Sequence, residues 1–67
     1  MRFKDLKIGD IILYYDGYEQ RKDVVMNKAS HKAKDMVVVD EKTYTKRVPW
    51  MAVMEVYTKQ SHPEYFL

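Results

Sequence analysis

Residues 6–17, which read Leu-Lys-Ile-Gly-Asp-Ile-Ile-Leu-Tyr-Tyr-Asp-Gly, constrain the fold of this chain more than any other stretch. A Gly-Asp pair precedes five consecutive apolar or aromatic residues, and an Asp-Gly pair follows them. Because glycine takes backbone angles that are closed to other residues, the chain can turn sharply into a strand at Gly9. The Asp-Gly pair suits a tight two-residue reversal. The stretch therefore predicts a first strand over residues 10–15, but it does not indicate an activity.

Apolar side chains occupy both faces of this predicted strand. Ile11, Leu13 and Tyr15 alternate with Ile12 and Tyr14, and side chains that alternate along a strand point to opposite faces. A strand that is apolar on both faces is shared between two sheet surfaces, as in a small barrel.

Size and composition limit what the chain can be. Its 67 residues allow one domain, and the absence of cysteine excludes a disulfide framework and a cysteine-based zinc site. The formal net charge of +2 is a mild basic excess. No stretch resembles a signal peptide, and the longest apolar runs are too short to cross a bilayer. We therefore expect a soluble, cytoplasmic protein without a cofactor and without a membrane partner.

The next part of the chain changes from polar to apolar and back. Residues 18–23 are polar and predict an exposed arm, whereas Val24-Val25-Met26 predicts the second strand. Residues 27–34 contain almost no β-branched side chains, so they predict a loop.

Two further strands follow from local patterns. The run Met36-Val37-Val38-Val39 predicts the third strand, because β-branched side chains suit a pleated, packed surface. Residues 40–42 predict a turn. Strict alternation over residues 43–48 predicts a half-exposed strand that ends at Pro49, since proline cannot donate to a strand ladder.

Residues 49–57 fit two structures. Trp50, Val53 and Tyr57 have the spacing of a helical face, which would make the protein α+β with a C-terminal helix from residue 49 to about residue 57. However, Val48 is a poor N-cap and the segment contains β-branched residues. We favour a single 3₁₀ turn over residues 50–52, followed by a fifth strand over residues 53–57. Residues 58–67 then form a tail that is either frayed or docked.

The five short strands, the Gly-Asp pair and the proline-led turn before the last strand resemble an SH3-like small β-barrel. The resemblance is carried by residues 8–13 (Ile-Gly-Asp-Ile-Ile-Leu), residues 44–49 (Tyr-Thr-Lys-Arg-Val-Pro) and residues 53–56 (Val-Met-Glu-Val). It is similar to the Tudor, chromo-barrel and KOW group, which implies an all-β, five-stranded barrel over residues 1–57. The compact chain, rich in Lys, Tyr and Met, also resembles early proteins of bacteriophages.

Tudor-type relatives hold methylated Lys or Arg in aromatic cages. By position in the pattern, the resemblance implies Tyr14, Tyr18 and Tyr44 as the cage residues. Core packing is the simpler interpretation of these tyrosines, because a buried tyrosine can still extend its hydroxyl to water. Trp50, Met51 and Met54 are likewise either a recognition patch or core.

Basic residues are concentrated in the predicted arm, in the predicted loop and in the fourth strand. If these segments meet at one end of a barrel, they form a positive rim that attracts phosphates. The candidates for phosphate contact are Arg21, Lys22, Lys28, Lys32, Lys34, Lys46 and Arg47. Tyr18 lies beside this rim and is the candidate for stacking on a base. The competing interpretation is that these lysines only keep a small barrel soluble.

The residues that catalysis or metal binding would require are scarce. His31 and His62 are far apart in the sequence and no cysteine accompanies them, so a metal site is not indicated. The chain has two glycines and no glycine-rich phosphate loop. We expect neither an enzyme nor a small-molecule substrate.

Two functions remain open from the sequence. The first is a small non-catalytic module that binds nucleic acid through the basic, tyrosine-containing rim. The second is an inhibitor or adaptor of the phage type, which binds a host protein through exposed aromatic and Met side chains or through a strand edge. A homodimer that pairs through strand edges or through the C-terminal aromatic tail is a further option.

Overall fold

The computed structural model describes residues 1–41 and 44–66 of the chain. Five strands follow one another: β1 (Ile11–Tyr15), β2 (Gln20–His31), β3 (Lys34–Glu41), β4 (Tyr44–Pro49) and β5 (Val53–Tyr57). Three short 3₁₀ helices span Phe3–Asp5, Trp50–Ala52 and Pro63–Phe66. The described residues contain no α-helix. The all-β prediction is therefore confirmed.

The strands form one antiparallel sheet in the order β4-β3-β2-β1-β5. Strand β2 is long enough to serve two partners, because residues 20–24 pair with β1 and residues 25–31 pair with β3. The register shifts between Val25 and Asn27, where β2 has just changed partners. A bulge of this kind bends a strand and increases its twist. Within the described residues, no ladder joins β4 directly to β5.

The core lies on the inner side of this bent sheet. Its centre consists of Ile12, Val25, Val37 and Val39, each with no exposed surface, together with Tyr14 at 1%. Strand alternation explains why these side chains are buried, since every second residue of a strand faces inward and Val25 lies opposite Val39 in the ladder. Leu6 and Val48 complete the cluster, and Phe3 and Trp50 pack against it from the N-terminal segment and the second 3₁₀ turn.

Two predictions about β2 are wrong. Of the predicted arm, residues 20–23 belong to the 12-residue strand β2; of the predicted loop, residues 27–31 belong to β2 and Lys34 belongs to β3. A ladder is built from backbone groups, so polar side chains that face solvent do not prevent pairing. The turn between β2 and β3 contains only Lys32 and Ala33, with φ values of 50° and 63°. Positive φ at both positions is the geometry of a tight hairpin turn, here formed without glycine.

The reversal after β1 also differs from the prediction. Four residues, and not two, connect β1 to β2, and Gly17 adopts a φ of 102°. The Asp16 carboxylate accepts hydrogen bonds from the backbone N–H groups of Tyr18 (2.8 Å) and Glu19 (2.9 Å). An aspartate that bonds to the backbone ahead of it forms a turn by itself, which explains why the connection is longer. By contrast, the predicted sharp turn at Gly9 is present, with a φ of 100°.

The remaining boundaries follow the sequence closely. Asp40 and Glu41 extend β3 and are not a turn, while Lys42 and Thr43 lie outside the described residues. The 3₁₀ helix Trp50–Ala52 and the strand Val53–Tyr57 are as predicted, so the alternative C-terminal helix is wrong. None of the helices in the described part of the chain is long and apolar enough to cross a membrane.

Candidate nucleic-acid interface

The β2–β3 hairpin extends beyond its neighbours as a two-stranded ribbon. β1 pairs with β2 only as far as Val24, and β4 pairs with β3 only from Met36 onward. Residues 30–35 are therefore paired only with each other, through Ser30 opposite Asp35 and residue 31 opposite Lys34. Here residues 27–34 are called the basic ribbon, because they contain three lysines, a histidine and no acidic residue.

Two of the predicted phosphate ligands lie at the end of this ribbon. Lys32 is in the turn and Lys34 is the first residue of β3, and both are exposed. Neither side chain makes a hydrogen bond or an ion pair with the described residues. Their ammonium groups are consequently available to an anionic partner.

The base of the ribbon carries a third predicted residue, Lys28, whose ammonium group is already in use. Its Nζ donates to the backbone carbonyl of Leu6 at 2.9 Å and lies 4.7 Å from the centre of the Phe3 ring. These contacts hold the N-terminal segment beside the ribbon. Lys4 and Lys7 are exposed on that segment.

Lys4 and Lys7 are not among the basic residues that the sequence pattern predicts as phosphate contacts. No local signal could have found them, because the N-terminal segment contacts the ribbon through Lys28 and Leu6, which are 22 positions apart. The lysines of residues 27–34 could be predicted from the composition of that segment, whereas the position of the N-terminal lysines is known only from the folded structure.

Tyr18, the predicted stacking residue, lies at the other end of β2. It is 92% exposed in the β1–β2 turn, whereas the basic ribbon begins where β2 leaves β1. Tyr18 precedes β2 and Lys32 follows its last residue, so the 12 residues of the strand lie between them. The structure therefore does not bring Tyr18 together with Lys32 and Lys34.

Arg21 and Lys46 also lie toward the Tyr18 end, beside acidic groups. Arg21 Nε is 3.6 Å from Asp23 Oδ2, and Lys46 Nζ is 5.3 Å from the centre of the Tyr14 ring. The two cations face the Asp16 carboxylate, whose pKa is lowered by the N–H groups of Glu19 and Tyr18 and then by Lys46 and Arg21. Positive and negative charges balance here, so this end attracts phosphates less than the ribbon does.

Lys22 belongs to a different cluster, on the outer face of β1, β2 and β5. Its Nζ donates to the Tyr65 hydroxyl at 3.2 Å and lies 4.9 Å and 5.3 Å from the centres of the Tyr65 and Tyr57 rings. The His62 ring meets Tyr57 edge-on with centroids 4.7 Å apart. This aromatic cluster joins residues of the C-terminal tail to β5. The cation in this cluster is the ammonium group of Lys22, which belongs to the same chain.

The remaining candidates are dispersed. Arg47 is exposed on β4, opposite Val38 in the ladder. Of the three tyrosines implied as cage residues, Tyr14 is buried, and its hydroxyl donates to Asp23 Oδ2 at 2.5 Å. Burial and the Asp23 carboxylate raise the pKa of Tyr14 above its ordinary value. Tyr18 and Tyr44 are 92% and 60% exposed, so the three rings do not form a cage.

The described residues also contain no group of three or more His, Asp or Glu side chains placed to hold a metal ion. Comparison of the chain with protein-family models, with curated proteins and with solved structures gave no match. The arrangement of basic side chains is therefore the basis on which a function can be proposed.

Proposed function

We propose that this protein is a small non-catalytic module that binds nucleic acid through the basic ribbon. The carrying observation is that Lys32 and Lys34 stand at the tip of a hairpin that extends beyond its neighbouring strands. A two-stranded β-ribbon is a shape that the major groove of a duplex admits. Lysines without an internal partner can neutralise phosphates and release their counterions.

The strand arrangement supports an SH3-like barrel as the scaffold of this module. β2 serves both halves of the sheet, and the 3₁₀ turn Trp50–Ala52 connects β4 to the last strand beside β1. In this interpretation the scaffold holds the ribbon base rigid through Lys28, Leu6 and Phe3. The ribbon tip is then presented to the partner with little loss of conformational freedom.

Salt dependence tests the proposal. Fluorescence anisotropy of a labelled DNA duplex and of a labelled RNA single strand would be measured against the full chain at increasing salt. We expect the logarithm of affinity to fall linearly with the logarithm of salt concentration, by a slope of about 0.9 per phosphate neutralised on a duplex. Negligible affinity for both probes at low salt would refute nucleic-acid binding.

Charge-reversal variants locate the interface. We expect K32E combined with K34E to abolish binding, because both exposed charges at the ribbon tip are reversed. K59E is the charge-matched control for K32E alone, since Lys59 is also exposed but follows β5, two strands away from β2. Equal loss in K59E would mean that binding reflects net charge alone and not the ribbon.

A second candidate is binding to a host protein through exposed methionines. Met51 is 91% exposed and Met54 54% exposed, and with Met1 and Trp50 they surround the second 3₁₀ turn and β5. β5 is an edge strand that contains one charged residue, Glu55, and no lysine or proline. Edges without lysine or proline are open to pairing with another chain. Loss of a captured protein from M51E but not from K32E would favour this candidate.

A further inference from the structure

The outer face of the sheet has a shallow groove that none of the proposed functions uses. The groove has a volume of about 510 Å³ and crosses β1, β2 and β3, with Tyr65 of the C-terminal 3₁₀ turn as one wall. Ile11 and Val24 form its floor, where they face each other across the β1–β2 ladder. This groove is called the outer groove below.

Apolar side chains of the outer groove remain accessible to solvent. Val24 is 45% exposed, Met26 48% and Tyr65 41%. Met26 is exposed because it lies at the bulge, between Val25 and Asn27, where the register with β3 shifts. Contiguous apolar surface of this kind marks binding sites more often than isolated exposed residues do.

The two ends of the outer groove differ in charge. At the end beside Tyr65, the ammonium group of Lys22 is already held by the Tyr65 hydroxyl and by the rings of Tyr65 and Tyr57. At the β3 end, Asp40 is exposed, and its carboxylate makes no hydrogen bond or ion pair with the described part of the chain. A ligand in the groove therefore meets apolar surface followed by an available carboxylate.

We propose that the outer groove binds an extended peptide segment that carries an aliphatic residue and, two positions later, an arginine or lysine. The aliphatic side chain fills the floor formed by Ile11 and Val24, and the cation pairs with Asp40. Two strand spacings of about 4.8 Å separate Ile11 from Asp40, a span of about 10 Å. In an extended peptide, side chains two positions apart lie about 7 Å apart on one side. The long side chain of arginine covers the remainder.

The experiment uses a labelled peptide, Gly-Ser-Ile-Ser-Arg-Ser-Gly, titrated into the full chain. Amide NMR spectra would locate binding, and fluorescence anisotropy would measure affinity. We expect shifts at Val24, Met26 and Asp40. Peptides with alanine in place of isoleucine, or glutamine in place of arginine, should bind more weakly by threefold or more. No binding of the parent peptide at millimolar concentration, or shifts confined to other strands, would overturn the proposal.

Two protein variants distinguish pairing of the peptide with Asp40 from non-specific attraction by the charge of the protein. D40N should weaken the parent peptide by about threefold or more, because an exposed ion pair is lost, but it should not affect the glutamine peptide. D35N is the matched control, since Asp35 is an exposed aspartate on the same strand, at the ribbon end. Equal affinities for D40N and the unmodified protein would refute the pairing.

Two further variants test the floor and the relation to nucleic acid. M26A should reduce binding of all the peptides, and because Met26 is half-exposed, the variant should still fold. The variant K32E/K34E should keep full peptide affinity. Loss of peptide binding in that variant would mean that the peptide occupies the ribbon and would overturn the groove as its site.

Discussion

The Tyr14 hydroxyl donates a 2.5 Å hydrogen bond to Asp23 Oδ2, joining two side chains on the inner side of β1 and β2. Tyr14 lies opposite Arg21 in the ladder, and Arg21 Nε is itself 3.6 Å from the same carboxylate oxygen. The carboxylate thus receives a neutral donor and a cation at once. This arrangement stabilises the charged form of Asp23, which is half-buried at the end of the core.

Replacing Tyr14 by phenylalanine tests that contribution. We expect Y14F to lower the free energy of unfolding by about 1–3 kcal/mol, because the half-buried carboxylate of Asp23 loses a donor. Urea unfolding followed by circular dichroism would measure the change. Tyr15 is the matched control, since it is the next residue of β1 and is 54% exposed. An equal effect of Y15F would show that the hydrogen bond contributes nothing specific.

Stability at alkaline pH should also depend on Tyr14. Its pKa in the folded protein is raised above the ordinary value of 10.0, first because burial disfavours the phenolate and then because of Asp23. A tyrosine whose pKa is raised by folding stabilises the protein fully at pH values below its pKa in the unfolded chain. This stabilisation is lost as the pH rises from the pKa of the unfolded chain toward that of the folded protein. Tyr57, with a pKa raised to about 12 chiefly by its hydrogen bond to Glu55, acts in the same direction.

The comparison with Y14F isolates the Tyr14 part of this dependence. Below about pH 9, the difference in unfolding free energy between the unmodified protein and Y14F should be constant. Above about pH 10 the difference should shrink, because the unfolded unmodified chain gains a phenolate that Y14F lacks. Urea unfolding at a series of pH values would measure it. A difference that grows with pH would contradict the raised pKa.

The β2–β3 turn predicts a stabilising substitution. Ala33 has a φ of 63°, a left-handed conformation that costs a residue with a Cβ about 1–2 kcal/mol. A33G removes this cost, and although glycine loses more entropy on folding, we expect a net gain of about 0.5–1 kcal/mol. A29G is the matched control, because Ala29 lies within β2 and should lose about 0.5–1 kcal/mol. Thermal unfolding of both variants would show opposite shifts.

The core predicts a large loss on truncation of Ile12. This side chain has no exposed surface, and I12A should lower the free energy of unfolding by about 2–5 kcal/mol through lost burial and the cavity left behind. Ile8 is the matched control, because it is 66% exposed and I8A should cost less than about 0.5 kcal/mol. Similar losses for both would contradict the inward orientation of Ile12.

Parts of the fold could be predicted because they depend on neighbouring residues. Ile12 and Tyr14 alternate with Ile11 and Leu13, and this local pattern predicted strand β1; that Ile12 and Tyr14 are its buried face is known from the structure, because both faces are apolar in the sequence. Pro49 and the β-branched Val53 likewise separated the 3₁₀ turn from β5. The polar residues of β2 gave no such signal, because the pairing of their backbones with β1 and β3 leaves no trace in side-chain polarity.

The candidate site divides in the same way. The sequence by itself determined that residues 27–34 carry three lysines and no acidic residue. Only the tertiary structure decided which lysines are accessible, because Lys28 is held by Leu6 and Lys22 by Tyr65, over separations of 22 and 43 residues. Local propensities are set by neighbouring residues, whereas the availability of a charge depends on which distant groups the folded chain places beside it.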